Sequence, residues 1–316
     1  LGTLLVLLVT MALVMANRQN LIDWWRLRTY DPPAAVVALA DQDTMTDYAR
    51  KVFYVNRPQI EGKAAFNKSC PDSTAEQTIV LGCYHGNQGG IFLFNVSDER
   101  LAGVEQVTAA HEMLHAAYDR LDAGERNRVD KLLENYYRSG LTDERIKKTI
   151  DAYKVSEPHD VVNEMHSIFG TEVANLPSDL ETYYKQYFTN RTAITDAAAA
   201  YQAEFTSRQD QVAQTDAQLA NLKTQIDSLQ ADIKNQQQTI NDEEARLKSL
   251  RDTNVSAYNA AVPAYNQQID AYNSNVQQVR SLIDRYNTLV AHRNAIAFEE
   301  SQLIKSLDSN ANELKE

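Results

Sequence analysis

Residues 205–250 read FTSRQDQVAQTDAQLANLKTQIDSLQADIKNQQQTINDEEARLKSL. Phe205, Val212, Leu219, Ile226, Ile233, Ile240 and Leu247 recur every seven residues, with Leu222, Leu229 and Leu250 at the alternate positions. A sustained seven-residue apolar repeat marks a coiled coil, because a helix under-wound to about 3.5 residues per turn keeps such a stripe facing its partner. Gln236 and Glu243 interrupt the stripe. A second series follows the polar break Asp252-Thr253-Asn254: Tyr258, Tyr265, Tyr272, Val279 and Tyr286 at one position, Val262, Ile269, Val276, Ile283 and Val290 at the other. Two arms of about 55 residues, each roughly 80 Å long as helix, are expected to fold back as an antiparallel hairpin. Pro263 should kink the second arm or delay its start. The seam spacing makes the tyrosines packing residues whose hydroxyls reach the edge.

The remaining sequence has a different character. The last of ten glycines is Gly170, and of seven prolines only Pro177 and Pro263 lie beyond it, so the C-terminal part has little turn chemistry. The expected fold class is α+β. Residues 31–195 should form a small domain with a short antiparallel sheet plus helices, and residues 196–316 a long α-helical coiled-coil hairpin. Lys51–Val55 reads as a short strand. Gln77–Tyr84 and Gly90–Val96 read as a β-hairpin joined by a glycine-bearing loop that holds His85 toward solvent. Cys70 and Cys83 flank a predicted strand and are expected to form a disulfide if the domain is exported.

Residues 1–30 read as an N-terminal membrane anchor or signal segment. Leu1–Ala16 is almost wholly apolar. It falls short of the roughly 20 residues that span a bilayer, and an upstream continuation could complete the span. Trp24, Trp25, Arg26 and Arg28 suit an interfacial belt. Val14-Met15-Ala16 also passes as a signal cleavage site. The expected localisation is therefore membrane-anchored with an extracytoplasmic domain, or secreted after cleavage. A formal charge of −12 argues against nucleic acid as a partner.

Chemistry concentrates at His111-Glu112-Met113-Leu114-His115. Two histidines four apart on a helix share a face, so both can reach one Zn²⁺ at about 2.0–2.1 Å. Glu112 is turned aside, placed to act as general base toward a water whose pKa the metal lowers toward about 7. This motif, on a helix that follows β-strands, resembles the signature of the zincin class of zinc metallopeptidases. The resemblance rests on five residues and their setting. It implies a zincin-like domain over 31–195, a peptide or protein substrate, and a sheet edge beside the helix that holds the peptide, for which Ile91–Val96 is the candidate. Tyr118 and Leu121 stand where the metzincin pattern has Gly and His, which excludes that subclass.

The remaining pattern takes a glutamate from a later helix as third ligand. In Asn163-Glu164-Met165-His166, Glu164 resembles the gluzincin ligand, although 48 residues separate it from His115 and Ile168 stands where an Asp would follow. His166, Glu172, His159 and Asp119 are the alternatives. His166, His159 and Tyr153 are further candidates for orienting a ligand or stabilising the transition state. The expected function is a zinc metallopeptidase with a coiled-coil spacer or docking arm that contacts an envelope protein or a second copy of itself. The alternative is a catalytically inactive envelope scaffold, or a regulator of cell-wall hydrolases acting through the coiled coil.

Overall fold

The computed structural model describes residues 11, 15, 17–71 and 79–309. These divide into two compact units. The second is Phe205–Ser301; the first holds the described residues through Glu204 and again from Gln302.

The first unit runs α1 (Arg18–Arg28), α2 (Ala34–Gln42), α3 (Asp47–Val55), β1 (Gln59–Glu61), α4 (Lys63–Ser69), β2 (Gly82–His85) and β3 (Gly90–Phe94). Then come α5 (Val104–Tyr118), α6 (Ala123–Ser139), α7 (Glu144–Ser156), α8 (Val161–Glu172), α9 (Ser178–Tyr184) and the start of α10 (Thr192–Thr253). The sheet is mixed rather than purely antiparallel. Its order is β1-β3-β2, with β1 parallel and β2 antiparallel to β3. β3 is therefore the central strand, and the expectation that Ile91–Val96 forms an edge is corrected: hydrogen bonds occupy both its sides.

α5 is the axis of this unit, buried on nearly every side and in contact with α2, α3, α8, β2 and β3. Ala109, Ala110, Ala116 and Ala117, all fully buried, let its neighbours approach closely. α8 crosses it at Gly170, where an added Cβ would collide with the Leu114 side chain and lie 2.9 Å from Tyr184 Cε1. Lys51–Val55 is helical, not a strand. Thr44 takes φ 52°, which breaks the chain after α2, and the Thr46 hydroxyl accepts from Ala49 N to cap α3. The cap and the burial of Ala49, Val52, Phe53 and Val55 on one face override the β-propensity of that run.

The membrane-anchored localisation is corrected as well: no helix among the described residues is long and apolar enough to cross a membrane. α1 has 11 residues, about 16 Å of helix against a hydrocarbon core of roughly 30 Å, and it includes three arginines and Asp23. Asp23 is buried against the fold, accepting from both Arg120 terminal nitrogens at 2.8 and 3.0 Å. Most of Leu1–Ala16, including Val14 and Ala16 of the cleavage reading, lies outside the described residues.

The second unit is the helical hairpin of α10 and α11 (Val255–Leu307). From Phe205 to Leu250, residues at alternating steps of three and four are shielded and every residue between them is exposed. Arg208 and Thr215 occupy two seam positions that the apolar pattern does not mark. Cross-arm pairs Arg208–Glu299, Gln209–Glu300, Asp216–Arg293 and Gln236–Asn275 are each centred within 253–256, as an antiparallel hairpin about Asn254 requires. The tyrosine positions shield as expected, but Ile283 is 37% exposed while Leu282 is shielded. The second stripe is therefore wider than the apolar series: Ala261, Gln268, Asn275 and Leu289 are shielded beside Val262, Ile269, Val276 and Val290, whereas Leu282 is shielded without Ile283. Pro263 sits at the ninth position of α11 without delaying its start. The Asn259 carbonyl it leaves without a helical donor is on an exposed residue, where water can reach it.

Asp43, at the end of α2, is fully buried and has no ion pair among the described residues. Burial pushes its carboxyl well above the usual range, against a weaker downward pull from Gln106. A raised carboxyl pKa contributes stability that is fully present below the unfolded value and lost as pH rises through the folded one. Asp43→Asn should therefore raise Tm at pH 7 by about 3 °C, for a gain on the order of 1 kcal/mol, and the gain should vanish toward pH 4. Thermal unfolding of both chains across pH 4–8 checks this.

Candidate metal centre

A helix turns about 100° per residue, so His111 and His115 leave α5 on one side and Glu112 on another. The histidines face α8. His115 Nε2 lies 3.3 Å from Glu164 Oε1 and His111 Nε2 lies 3.6 Å from Glu164 Oε2. One ligand atom from each of the three falls within 4.8 Å of the others. The imidazoles meet edge to face, with ring centroids 4.7 Å apart. Glu164 is 5% exposed, and its Oε2 has no hydrogen-bond partner. A buried carboxylate whose two oxygens each face one imidazole nitrogen, the Oε2 without a hydrogen bond, fits a cation held by all three. Two nitrogens and one carboxylate oxygen are also a donor set that zinc accepts.

Without a cation the charges redistribute. Burial opposes the charging of His111, but Glu164, with Glu112 and Glu172 farther off, outweighs burial and raises its pKa to about 9. Burial would raise Glu164, yet His115 and His111 hold it below its ordinary value. Glu112 is pushed up by burial against the pull of the same two histidines. Its carboxylate lies against β2: a Cβ built on Gly82 would be 2.7 Å from Glu112 Oε1. Glu112 thus leaves α5 toward β2, while the two histidines leave it toward α8.

The alternative third ligands are placed elsewhere. Glu172 pairs with Arg145 Nη1 at 2.7 Å, and Asp119 interacts with the Tyr84 hydroxyl. His166 is fully buried beneath α8, ringed by Tyr118, Tyr183, Tyr184 and Tyr187, with Nε2 2.8 Å from the Tyr183 hydroxyl. Burial, together with His115 and His111, lowers its pKa to about 3, so it is a neutral packing group under α8. His159 is exposed in the turn before α8, and Tyr153 is half-buried on α7. His85 is not a solvent-facing loop residue: it ends β2, and its Nε2 lies 2.7 Å from the Ser69 carbonyl oxygen. Cys70 and Cys83 form the expected disulfide.

Two features escaped the sequence reading. Glu157 and Asp160 bring carboxylate oxygens within 4.8 Å of Glu164, and only their helical spacing from it gives a trace of this. Gly82 gives none, because its part depends on which helix its strand lies along.

The metal-free triad has a defined pH response. His111 has its pKa raised, so its contribution to stability is present below about 6.5 and is lost as pH rises through about 9. Glu164 has its pKa depressed, so its contribution is present above about 4.5 and is lost as pH falls below that. Zinc must displace the His111 proton, so its affinity should rise about tenfold per pH unit between roughly 6.5 and 9. Competition titrations against a zinc dye would show the slope. No family model, curated protein or solved structure matches the chain.

Proposed function

We propose that this chain is a zinc-dependent metallopeptidase of zincin type, with the gluzincin arrangement of ligands. The observation that carries the proposal is the convergence of His111, His115 and Glu164 from α5 and α8, with Glu112 buried one helical step away. These three side chains would hold the metal. When bound, zinc supplies Lewis acidity, polarising a peptide carbonyl and lowering the pKa of a water.

The chain's own groups supply the rest. Glu112, its carboxyl raised above the usual range by burial, takes a proton from the attacking water and returns it to the departing amine. The ladder to β3 uses the main-chain groups of Cys83 and His85, with Leu81 accepting from Phe94 N at 2.8 Å, so those of Gly82 and Tyr84 point away from the sheet. That side of β2 is the edge we assign to an extended peptide, replacing Ile91–Val96. Tyr153 and His159 lie on the segment leading into α8 and are the side chains we assign to stabilising charge on the carbonyl oxygen. The hairpin of α10 and α11 would serve as a spacer or docking arm for a protein partner or a second copy.

The test is metal content together with proteolysis. Full-length protein should bind one zinc, lost in His111→Ala, His115→Ala and Glu164→Ala but kept in His159→Ala. Glu112→Gln should keep zinc and lose hydrolysis of fluorescein-labelled casein by at least about 100-fold. Folded wild-type protein that binds no zinc, or a Glu112→Gln variant as active as wild type, would end this reading.

A further inference from the structure

Glu112 faces β2 at van der Waals distance. A methyl group at Gly82 would lie 2.6 Å from Thr108 Cγ2, 2.7 Å from Glu112 Oε1 and 2.8 Å from Glu112 Cγ. Separations this short are not tolerated, so any side chain at Gly82 must displace Glu112, Thr108 or the strand.

The strand itself is held from behind. Cys83, the next residue, is joined to Cys70 at the end of α4. The His85 ring, two residues further on, reaches the Ser69 carbonyl oxygen at 2.7 Å. Phe66, Cys70 and Phe94 form a small core, with Leu81, Cys83 and Phe92 packed against it. Tyr84 meets Asp119, just past the end of α5. β2 is thus pinned along α5 from Thr108 to Asp119, with its one bare residue opposite Glu112.

We propose that Gly82, held in place by the Cys70–Cys83 bond at the adjoining residue, is the positioning residue for Glu112, and that the redox state of this bond regulates turnover without touching the metal ligands. The proposal rests on the peptidase reading above. Reduction by a phosphine cleaves the S–S bond. Phosphorus is oxidised to the phosphine oxide, and water supplies the oxygen and the two thiol protons.

The experiment uses the full chain with fluorescein-labelled casein as probe. Gly82→Ala should keep its zinc and its KM while kcat falls on the order of 100-fold. Combined with Glu112→Gln it should lose no more than Glu112→Gln alone, since the two act through one group. Wild type reduced with tris(2-carboxyethyl)phosphine, and the Cys70→Ser/Cys83→Ser variant, should likewise keep zinc and lose rate. A second readout needs no activity. In zinc-free protein Gly82→Ala should lower Tm by roughly 5 °C, and adding Glu112→Ala should restore most of that loss. Rescue by Thr108→Ser instead, loss of zinc in Gly82→Ala, or full activity after reduction would overturn the inference. If wild type binds no zinc and cleaves nothing, the peptidase reading falls, whereas an active wild type with an equally active Gly82→Ala defeats this inference alone.

Discussion

The close crossing of α5 and α8 is the constraint on which the rest of the first unit depends. Leu114 packs where Gly170 has no side chain, and buried alanines line α5 around that point. Only at this separation do imidazoles from one helix and a carboxylate from the other bring their ligand atoms within 4.8 Å. A larger residue at 170 would press on Leu114 and Tyr184, and the cost of overpacking, about 1–3 kcal/mol, would fall on the same contact that brings Glu164 to the histidines. His166, two residues beyond Glu164 and fully buried among tyrosines, holds the underside of α8. Glu164 and His166 diverge on the helix because two residues span about 200°. One side of α8 therefore presents Glu164 to the two histidines while the other packs into the protein.

Much of this was legible because it is periodic. The seam of α10 follows directly from the spacing of apolar residues, and the His111–His115 pair follows from the helical repeat. What was not legible depends on pairing between distant segments. Placing β3 in the centre requires β1, three residues long, to add in parallel, and such a short segment has no sequence signature. Lys51–Val55 has strand-like composition, and its helical state is decided by the Thr46 cap and by burial against α5. Ile283 and Leu282 are both apolar, so only the meshing of the two arms selects which one faces inward. Asp23 and Asp43 could not be placed inside from sequence, since a buried carboxylate is the exception that composition cannot announce.

The hairpin carries polar residues in its seam where leucine would pack better. Gln236 accepts from Asn275 Nδ2 at 3.1 Å across the arms, Arg208 pairs with Glu299, and Asp216, exposed beside the seam, pairs with Arg293. Such pairs add little to stability when solvent reaches them. They do restrict register: a slip of one heptad sets Asn275 against Leu229 in one direction and Gln236 against Leu282 in the other, so one amide of the pair loses its partner. In arms this long and regular, alternative registers would otherwise differ little in energy, so the polar seam residues are best understood as setting alignment.

The geometry of α5 also separates two tasks that a single motif joins in sequence. His111 and His115 answer to α8, and Glu112, one residue along, answers to the sheet. The positions of His111, His115 and Glu164 are therefore governed by helix packing in the core, while Glu112 lies against a strand whose next residue is disulfide-bonded. Strain in one need not propagate to the other, because the wall between them is α5 itself, buried on nearly every side. An added atom at Gly82 meets Thr108 and Glu112 before it meets either histidine. The five-residue motif thus reads as one unit in the chain and as two mechanically distinct halves in the fold.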